Sequence, residues 1–320
     1  MKVKKSNQIV ILNSSDLTNC PEAIDILKSL GKLINVSADY EEVYKNIDGC
    51  HAYLCGLGSR IDKKLIKKAA SLEILATPST GTDHIDLESL KKANIEYYSL
   101  KNEIELIKSF TATSEHAFGL ALALNRQLIP AHQSIYEGRW AREKYTGWQL
   151  EGKTCGILGL GRLGNISAKI AKGFGMRVIA NDVLDIKEDG VEMVEFDELL
   201  SESDMLTIHI HLTDDTRHII SFKELERMKD SSILINTSRG ALIDEKALLH
   251  ALEKKIIAGA ALDMIDGEWD QSIISHPLIV YSKKKNNLVI TPHIGGCTNE
   301  SIYGARIFMA KKIANYFMHI

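Results

Sequence analysis

A chain of 320 residues is longer than a single hydrophobic core usually sustains, so two domains are expected. Apolar residues at 45% and charged residues at 25% exclude the disordered and fibrous classes. A formal net charge of -3 excludes the basic field that holds nucleic acid, and the lysines at 2–5 and 283–285 read as solvated surface.

The amino-terminal stretch MKVKKSNQIVILNSS passes from lysines straight into a strand-like run, without the small-residue cleavage site of a secretion signal. No run reaches the roughly 18 apolar residues that span a bilayer, so a cytoplasmic protein without membrane contact is expected. The runs QIVILN, KLINVSA, HAYLCGL and EILATPS then alternate with the helical patterns PEAIDILKSLG, YEEVYKNID and DKKLIKKAASL. Such alternation predicts a parallel sheet covered by helices. Around Thr111 the pattern changes to one long helix, TSEHAFGLALALNRQLIPAHQSIYEGRW, opened by Thr and Ser with an acid in its first turn. Phe118, Leu120, Leu122, Leu124 and Leu128 make it apolar nearly all round, which predicts burial between the two domains.

A second series follows: KTCGILGLG, RVIANDV, MVEFD, DMLTIHIHL, SSILINTS, AGAALDMI and NLVITPHI. It predicts a doubly wound sheet whose strands point their carboxyl ends at one crevice. The last segment, ESIYGARIFMAKKIANYF, reads as a helix returning to the first domain. The expected fold is therefore α/β, with two Rossmann-like domains, each a doubly wound parallel sheet, and a cleft between them. The five cysteines, Cys20, Cys50, Cys55, Cys155 and Cys297, form an odd set without a CxxC pair. They read as free thiols in a reducing compartment.

Gly159, Gly161 and Gly164 stand as GLGRLG between a strand-like run and a helical pattern. In that context one glycine permits a tight turn, the next lets the backbone approach a pyrophosphate, and the third allows close helix packing. The helix amino terminus then offers N–H groups and a positive dipole end to the phosphates. Asp182 ends the next strand, 18 residues after Gly164, where a carboxylate can accept from both ribose hydroxyls of an adenosine and repel a 2′-phosphate. NAD is therefore expected rather than NADP.

From STGTDHIDL through SEHAFGLALALNRQ, EGRW, GLGRLG, LTDDTRHII, INTSRGALIDEKAL and GAALDMIDGE to TPHIGG, most of the chain resembles the D-isomer-specific 2-hydroxyacid dehydrogenases. The resemblance implies a discontinuous substrate-binding domain, residues 1–104 with 296–320, and an inserted NAD-binding domain over 105–295. It implies hydride transfer between nicotinamide and C2 of a small 2-hydroxy or 2-oxo acid, in a homodimer formed through the region from Phe118 to Trp140. It also implies a catalytic set of Arg239, Glu268 and His293.

The residue chemistry accords with those roles. Arg239, just after the run SSILI, has a guanidinium that can grip a planar carboxylate through two parallel donors. His293 ends another strand-like run and is the residue type suited to proton exchange near neutrality. Glu268 would hydrogen-bond the imidazole and fix its orientation. Family members commonly carry proline where Trp269 and His211 stand. The resemblance further assigns Asp263 to the nicotinamide amide and gives cofactor contacts to Arg162, Leu163, Thr213, Thr237, Ser238, Gly295 and Thr80. The loop Ser79, Thr80, Gly81 would offer backbone N–H groups to the substrate carboxylate. Arg60 resembles a phosphate-contacting arginine of the phosphoglycerate members or is an ordinary surface residue. His209 and His211 share one face of a strand, but no third ligand is evident and no metal site is expected. Because the given sequence ends with the last helix, no serine-binding regulatory module is expected. Two other readings stay open: a non-catalytic NAD-sensing protein related to the corepressors that share this fold, and an enzyme acting on an inorganic or unusual acid.

Overall fold

Short apolar strands alternating with helices close into two separate parallel sheets. The computed structural model describes residues 9–269 and 272–318; the lysines at 2–5 and Gln8 of the first strand-like run lie outside the described residues. The first sheet contains β1 (Ile9–Asn13), β2 (Gly31–Asn35), β3 (Ala52–Leu54), β4 (Ile74–Ala76) and β5 (Glu96–Tyr98), in the order β2-β1-β3-β4-β5. All pairings are parallel, with Ile11 of β1 opposite Leu33 on one side and Ala52 on the other. β3 and β4 are buried at every position, as strands with helices on both faces must be. Three helices between these strands begin at Asp39, Asp62 and Asp86, whose carboxylates accept first-turn N–H groups. The edge strand β5 is absent from the sequence reading: three residues, EYY, with an exposed acid at the start, carry no apolar alternation.

The second sheet contains β6 (Thr154–Leu158), β7 (Arg177–Asn181), β8 (Glu192–Met193), β9 (Met205–Ile208), β10 (Ile233–Asn236), β11 (Gly259–Leu262) and β12 (Leu288–Ile290). Its order is β12-β11-β10-β9-β6-β7-β8, again parallel throughout. Strand order reverses between β6 and β9, the switch point at which ligands bind in doubly wound sheets. The run MVEFD is not one strand. Only Met193 lies in β8, and Phe196 already opens the helix Phe196–Glu202, which buries Leu199 and Leu200.

The long helix expected from Thr111 is two. Ala112–Asn125 and Leu128–Tyr136 are separated at Gln127, whose backbone is left-handed at φ 48°. Phe118, Leu120 and Leu124 of the first piece pack with Cys155, Ile157 and Ala168 inside the second unit, so their burial comes from the sheet they cover. The second piece leaves Leu128, Ile129, Ile135 and Tyr136 exposed, and Trp140 beyond it is 89% exposed.

The described residues up to Phe110 and from Cys297 onward form one compact unit, and Thr111–Gly296 form the other. The boundary falls after Phe110 rather than at 104, because Ile107 and Phe110 pack with Ile9 and Ile11. The closing helix Asn299–Met318 joins the same cluster through Ala305, Met309 and Ile313, spaced one turn apart. No helix among the described residues is long and apolar enough to cross a membrane.

Candidate active site

The turn after β6 is shaped by absent side chains. Gly159 has φ 92°, and a Cβ there would lie 2.6 Å from Ile210 Cγ2 and 2.9 Å from the His209 carbonyl oxygen. A Cβ on Gly164 would overlap the Gly159 carbonyl oxygen, so the helix Arg162–Gly173 can approach the turn only with glycine there. Gly161, at the helix N-cap, is different: a Cβ would meet nothing within 4 Å. No side chain caps this helix and no acid stands in its first turn, so its positive end is not neutralised from within. Asp182, just past β7, accepts the Leu160 N–H through Oδ2 at 2.7 Å and the Leu184 N–H through Oδ1 at 3.0 Å. Asn165 Nδ2 donates to the Leu160 carbonyl at 2.8 Å, and Ser114 Oγ to the Leu163 carbonyl at 2.9 Å. A tight turn, an open approach at Gly161, an uncapped helix end and a carboxylate at the next strand end together fit a dinucleotide.

His209 lies behind this turn and is half-buried, its Nε2 2.9 Å from Ser167 Oγ and 3.1 Å from Thr207 Oγ1. Burial pushes its ionisation down to about 4, so the ring is neutral. His211 is exposed. Among the described residues no three His, Cys, Asp or Glu side chains are grouped to hold a metal ion.

Because the strands are parallel neighbours, the loops after β9, β10, β11 and β12 share one rim with this turn. Thr213 opens the turn after β9, its N–H donating to Thr216 Oγ1 at 2.7 Å. After β10, the fully buried Asn236 shapes the loop TSRG: its Oδ1 accepts the Ser238 N–H at 2.9 Å and its Nδ2 donates to the Arg239 carbonyl at 2.8 Å. Ser238 Oγ donates to the Ile208 carbonyl at 2.8 Å, tying this loop to β9. Thr237 Oγ1 is buried without a hydrogen-bond partner among the described residues. Arg239 is half-buried, with Nη1 2.7 Å from the Ser238 carbonyl.

The loops after β11 and β12 meet on Asp263, which is 1% exposed. Its Oδ1 accepts from Thr291 Oγ1 at 2.6 Å and the Ile294 N–H at 2.9 Å, and its Oδ2 accepts the Gly295 N–H at 2.7 Å. His116 Nε2 stands 3.2 Å from Oδ1 and 3.0 Å from Thr291 Oγ1. Burial raises the Asp263 carboxyl, but these hydrogen bonds outweigh it and hold it below the ordinary carboxylate value. His293 adopts a left-handed backbone, φ 55°, with its N–H on the Asp263 carbonyl at 2.8 Å. Its Nδ1 lies 2.9 Å from Glu268 Oε1, and the two side chains are 16% and 20% exposed. Trp269, 58% exposed, sets its ring centroid 6.0 Å from that of His293.

In the first unit, Ser79, Thr80 and Gly81 follow β4. Ser79 Oγ donates to the Gly81 carbonyl at 2.7 Å and lies 3.0 Å from Thr77 Oγ1, so this side chain braces its own loop. Arg60 is exposed. The sequence reading did not find His116, Thr291, Asn236 or Gly240 as parts of the rim. A Cβ on Gly240 would overlap the Ile265 and Asp266 backbone, so glycine is what lets the loops after β10 and β11 touch. These roles depend on partners far away in sequence; the one local signal was the buried-strand context of INTSRG.

The model of the D-isomer specific 2-hydroxyacid dehydrogenase NAD binding domain matches residues 118–295. The chain is 37% identical over 267 residues to a glyoxylate reductase of Thermococcus litoralis, covering 79% of this chain and 76% of that protein. It is 34% identical to a D-3-phosphoglycerate dehydrogenase of Archaeoglobus fulgidus over 92% of this chain but only 55% of that protein. Among solved structures it is similar to an Aquifex aeolicus D-lactate dehydrogenase complexed with NAD and lactic acid. The TM-score is 0.81 at 27% identity, covering 97% of this chain and 96% of the other.

Proposed function

The chain belongs to the D-isomer specific 2-hydroxyacid dehydrogenase family and is an NAD-dependent oxidoreductase, and on that premise we propose Arg239, Glu268 and His293 as its catalytic set. The 2.9 Å pair between His293 Nδ1 and Glu268 Oε1 carries this reading. When bound, NAD supplies a hydride acceptor, and NADH a donor, at C4 of the nicotinamide. With Nδ1 directed at Glu268, His293 exchanges the substrate hydroxyl proton through Nε2. Glu268 holds the ring in the orientation this requires. Arg239 grips the substrate carboxylate through parallel N–H donors, fixing C2 in place. The turn Gly159–Gly164, with Arg162 and Leu163 at the helix start, receives the pyrophosphate, and Asp182 the ribose. Thr213, Thr237, Ser238, Asp263 and Gly295 complete the cofactor contacts along the rim.

The substrate is a small 2-hydroxy or 2-oxo acid. Self-association as a homodimer belongs to the same reading, supported by the exposed Leu128, Ile129, Ile135, Tyr136 and Trp140. Light scattering at micromolar concentration that reports a monomer would remove that part. A cytoplasmic location is in keeping with the five free cysteines. A panel of 2-oxo acids beginning with glyoxylate, followed by loss of NADH absorbance, tests the activity. Steady turnover is expected with at least one acid and should be lost in His293→Ala, whose NADH binding stays nearly intact. NADH binding without turnover of any acid would favour the NAD-sensing reading instead.

A further inference from the structure

Two residues before Glu268, the loop after β11 is tied down by a pair of side chains that the proposed chemistry does not use. Asp266 donates its backbone N–H to Glu245 Oε1 at 2.8 Å. Glu245 Oε2 stands 3.0 Å from His276 Nε2, and both side chains are 18% exposed. His276 Nδ1 in turn accepts the Leu278 N–H at 3.3 Å, at the start of the helix Pro277–Ser282. A ring nitrogen that accepts from an N–H carries no proton, so the proton of the neutral ring sits on Nε2 and is donated to Glu245. The pair therefore holds without a charged imidazole.

Glu245 is itself firmly placed. It is the first residue of the helix Glu245–Lys254, whose N-cap Asp244 accepts the Lys246 and Ala247 N–H groups. Beside it, Gly240 brings its backbone against Ile265 and Asp266 too closely for any Cβ. The loop is thus fixed at Asp263 by the β12 turn and at Asp266 by Glu245. Between Asp266 and Glu268 lies only Gly267, left-handed at φ 71°. A displacement at Asp266 therefore passes directly to the carboxylate that meets His293.

We propose that Glu245 and His276 are positioning residues for Glu268: by holding Asp266 they set where the Glu268 carboxylate meets the His293 ring. This rests on the reading of Glu268 and His293 as the acid–base pair.

The test is a double-mutant cycle on the full chain, with kcat and NADH dissociation constants measured for Glu245→Ala, Glu268→Gln and the pair. Glu245→Ala should lower kcat about 10- to 100-fold, the usual effect of losing a partner one shell out. The NADH dissociation constant should stay within about two-fold, because the dinucleotide turn is untouched, and the second substitution in the Glu268→Gln background should lower kcat less than about two-fold further. A simple loss of stability would not produce that non-additivity. If Glu245→Ala does not fold, His276→Ala against His276→Gln carries the same comparison. The alanine variant should lose about five-fold or more in kcat, and the glutamine variant, able to donate to Glu245, should recover most of it. Wild-type kcat in Glu245→Ala, or its full effect repeated in the Glu268→Gln background, would overturn the proposal alone. Wild-type kcat in Glu268→Gln would take down the acid–base reading and this inference with it.

Discussion

The turn GLGRLG after β6 and the turn TPHIGG after β12 are glycine-containing loops on the same rim, and they use their backbone N–H groups in opposite ways. At the first, no acid stands in the helix's first turn, and Gly161 leaves open space over the helix end. At the second, three successive N–H groups, of His293, Ile294 and Gly295, close on Asp263 through its carbonyl, Oδ1 and Oδ2. Such a run, with a left-handed residue at its head, forms an anion-binding concavity, here occupied by the protein's own carboxylate. At the first turn the Leu160 N–H is held by Asp182, but no side chain caps the helix end, which suits that end to an external anion. A turn that has its own anion is instead rigid, and what it presents is the side chain at its head, His293.

The largest effect should come from removing that internal anion. Asp263→Ala leaves the Ile294 and Gly295 N–H groups, the Thr291 hydroxyl and His116 without their buried acceptor. Thermal unfolding should report a loss of about 4 kcal/mol, in the range for breaking a buried hydrogen-bond network. The turnover number should fall at least ~100-fold, because the αL backbone of His293 is no longer held. Unchanged kcat would mean that the His293 turn needs no internal anion.

Two alanines separate binding from packing in the other turn. Gly164→Ala drives a Cβ into the Gly159 carbonyl and should cost about 3 kcal/mol in stability. Gly161→Ala meets nothing, so its melting temperature should stay near wild type, while NADH affinity falls about ten-fold, or 1.4 kcal/mol, as the new methyl occupies the approach to the helix end. Equal stability in the two variants, by calorimetry, would show that the turn is not close-packed.

His209 links the first turn to pH. Its folded ionisation, near 4, lies below the ordinary histidine value of 6.5, so between those values the unfolded chain binds the extra proton. Stability from this group is therefore complete above about 6.5 and falls as the pH drops towards 4, by up to about 3 kcal/mol. His209→Gln keeps a donor for Ser167 and should flatten denaturant midpoints over that interval. An unchanged slope between pH 6.5 and 4 would remove His209 as its source.

How much of this was legible follows the distance between partners. The doubly wound sheets showed in the alternation of short runs, and GLGRLG with Asp182 could be read because the turn and the strand end lie within one βαβ unit. The Asp263 cluster was not legible as a support: its carboxylate reaches residues 28 to 32 positions on, and a strand-end acid looks the same whether it binds a ligand or the chain. Glu245 and Asp266 are separated by 21 residues, and nothing near either signals the other. Gln127, left-handed without being glycine, broke a helix that apolar periodicity alone carried through. MVEFD failed for a related reason, since a two-residue edge strand and a helix start share one short apolar run.

The smallest effect expected tests Asp182, the carboxylate that closes the turn after β6 and is proposed to meet the ribose. Asp182 already accepts one backbone N–H on each oxygen, which leaves lone pairs for two ribose hydroxyls while its charge opposes a 2′-phosphate. Asp182→Asn removes the charge and keeps one acceptor, so kcat/KM for NADPH should rise relative to NADH by several-fold. Asp182→Ala also frees the Leu160 N–H and loosens the turn, so NADH affinity should fall as the preference narrows. The two variants thereby separate repulsion from anchoring: a preference that narrows in both, with NADH affinity lost mainly in the alanine variant, assigns selectivity to charge and turn geometry to the hydrogen bonds. A wild-type enzyme that prefers NADPH would show that Asp182 braces the Leu160 turn without selecting the cofactor.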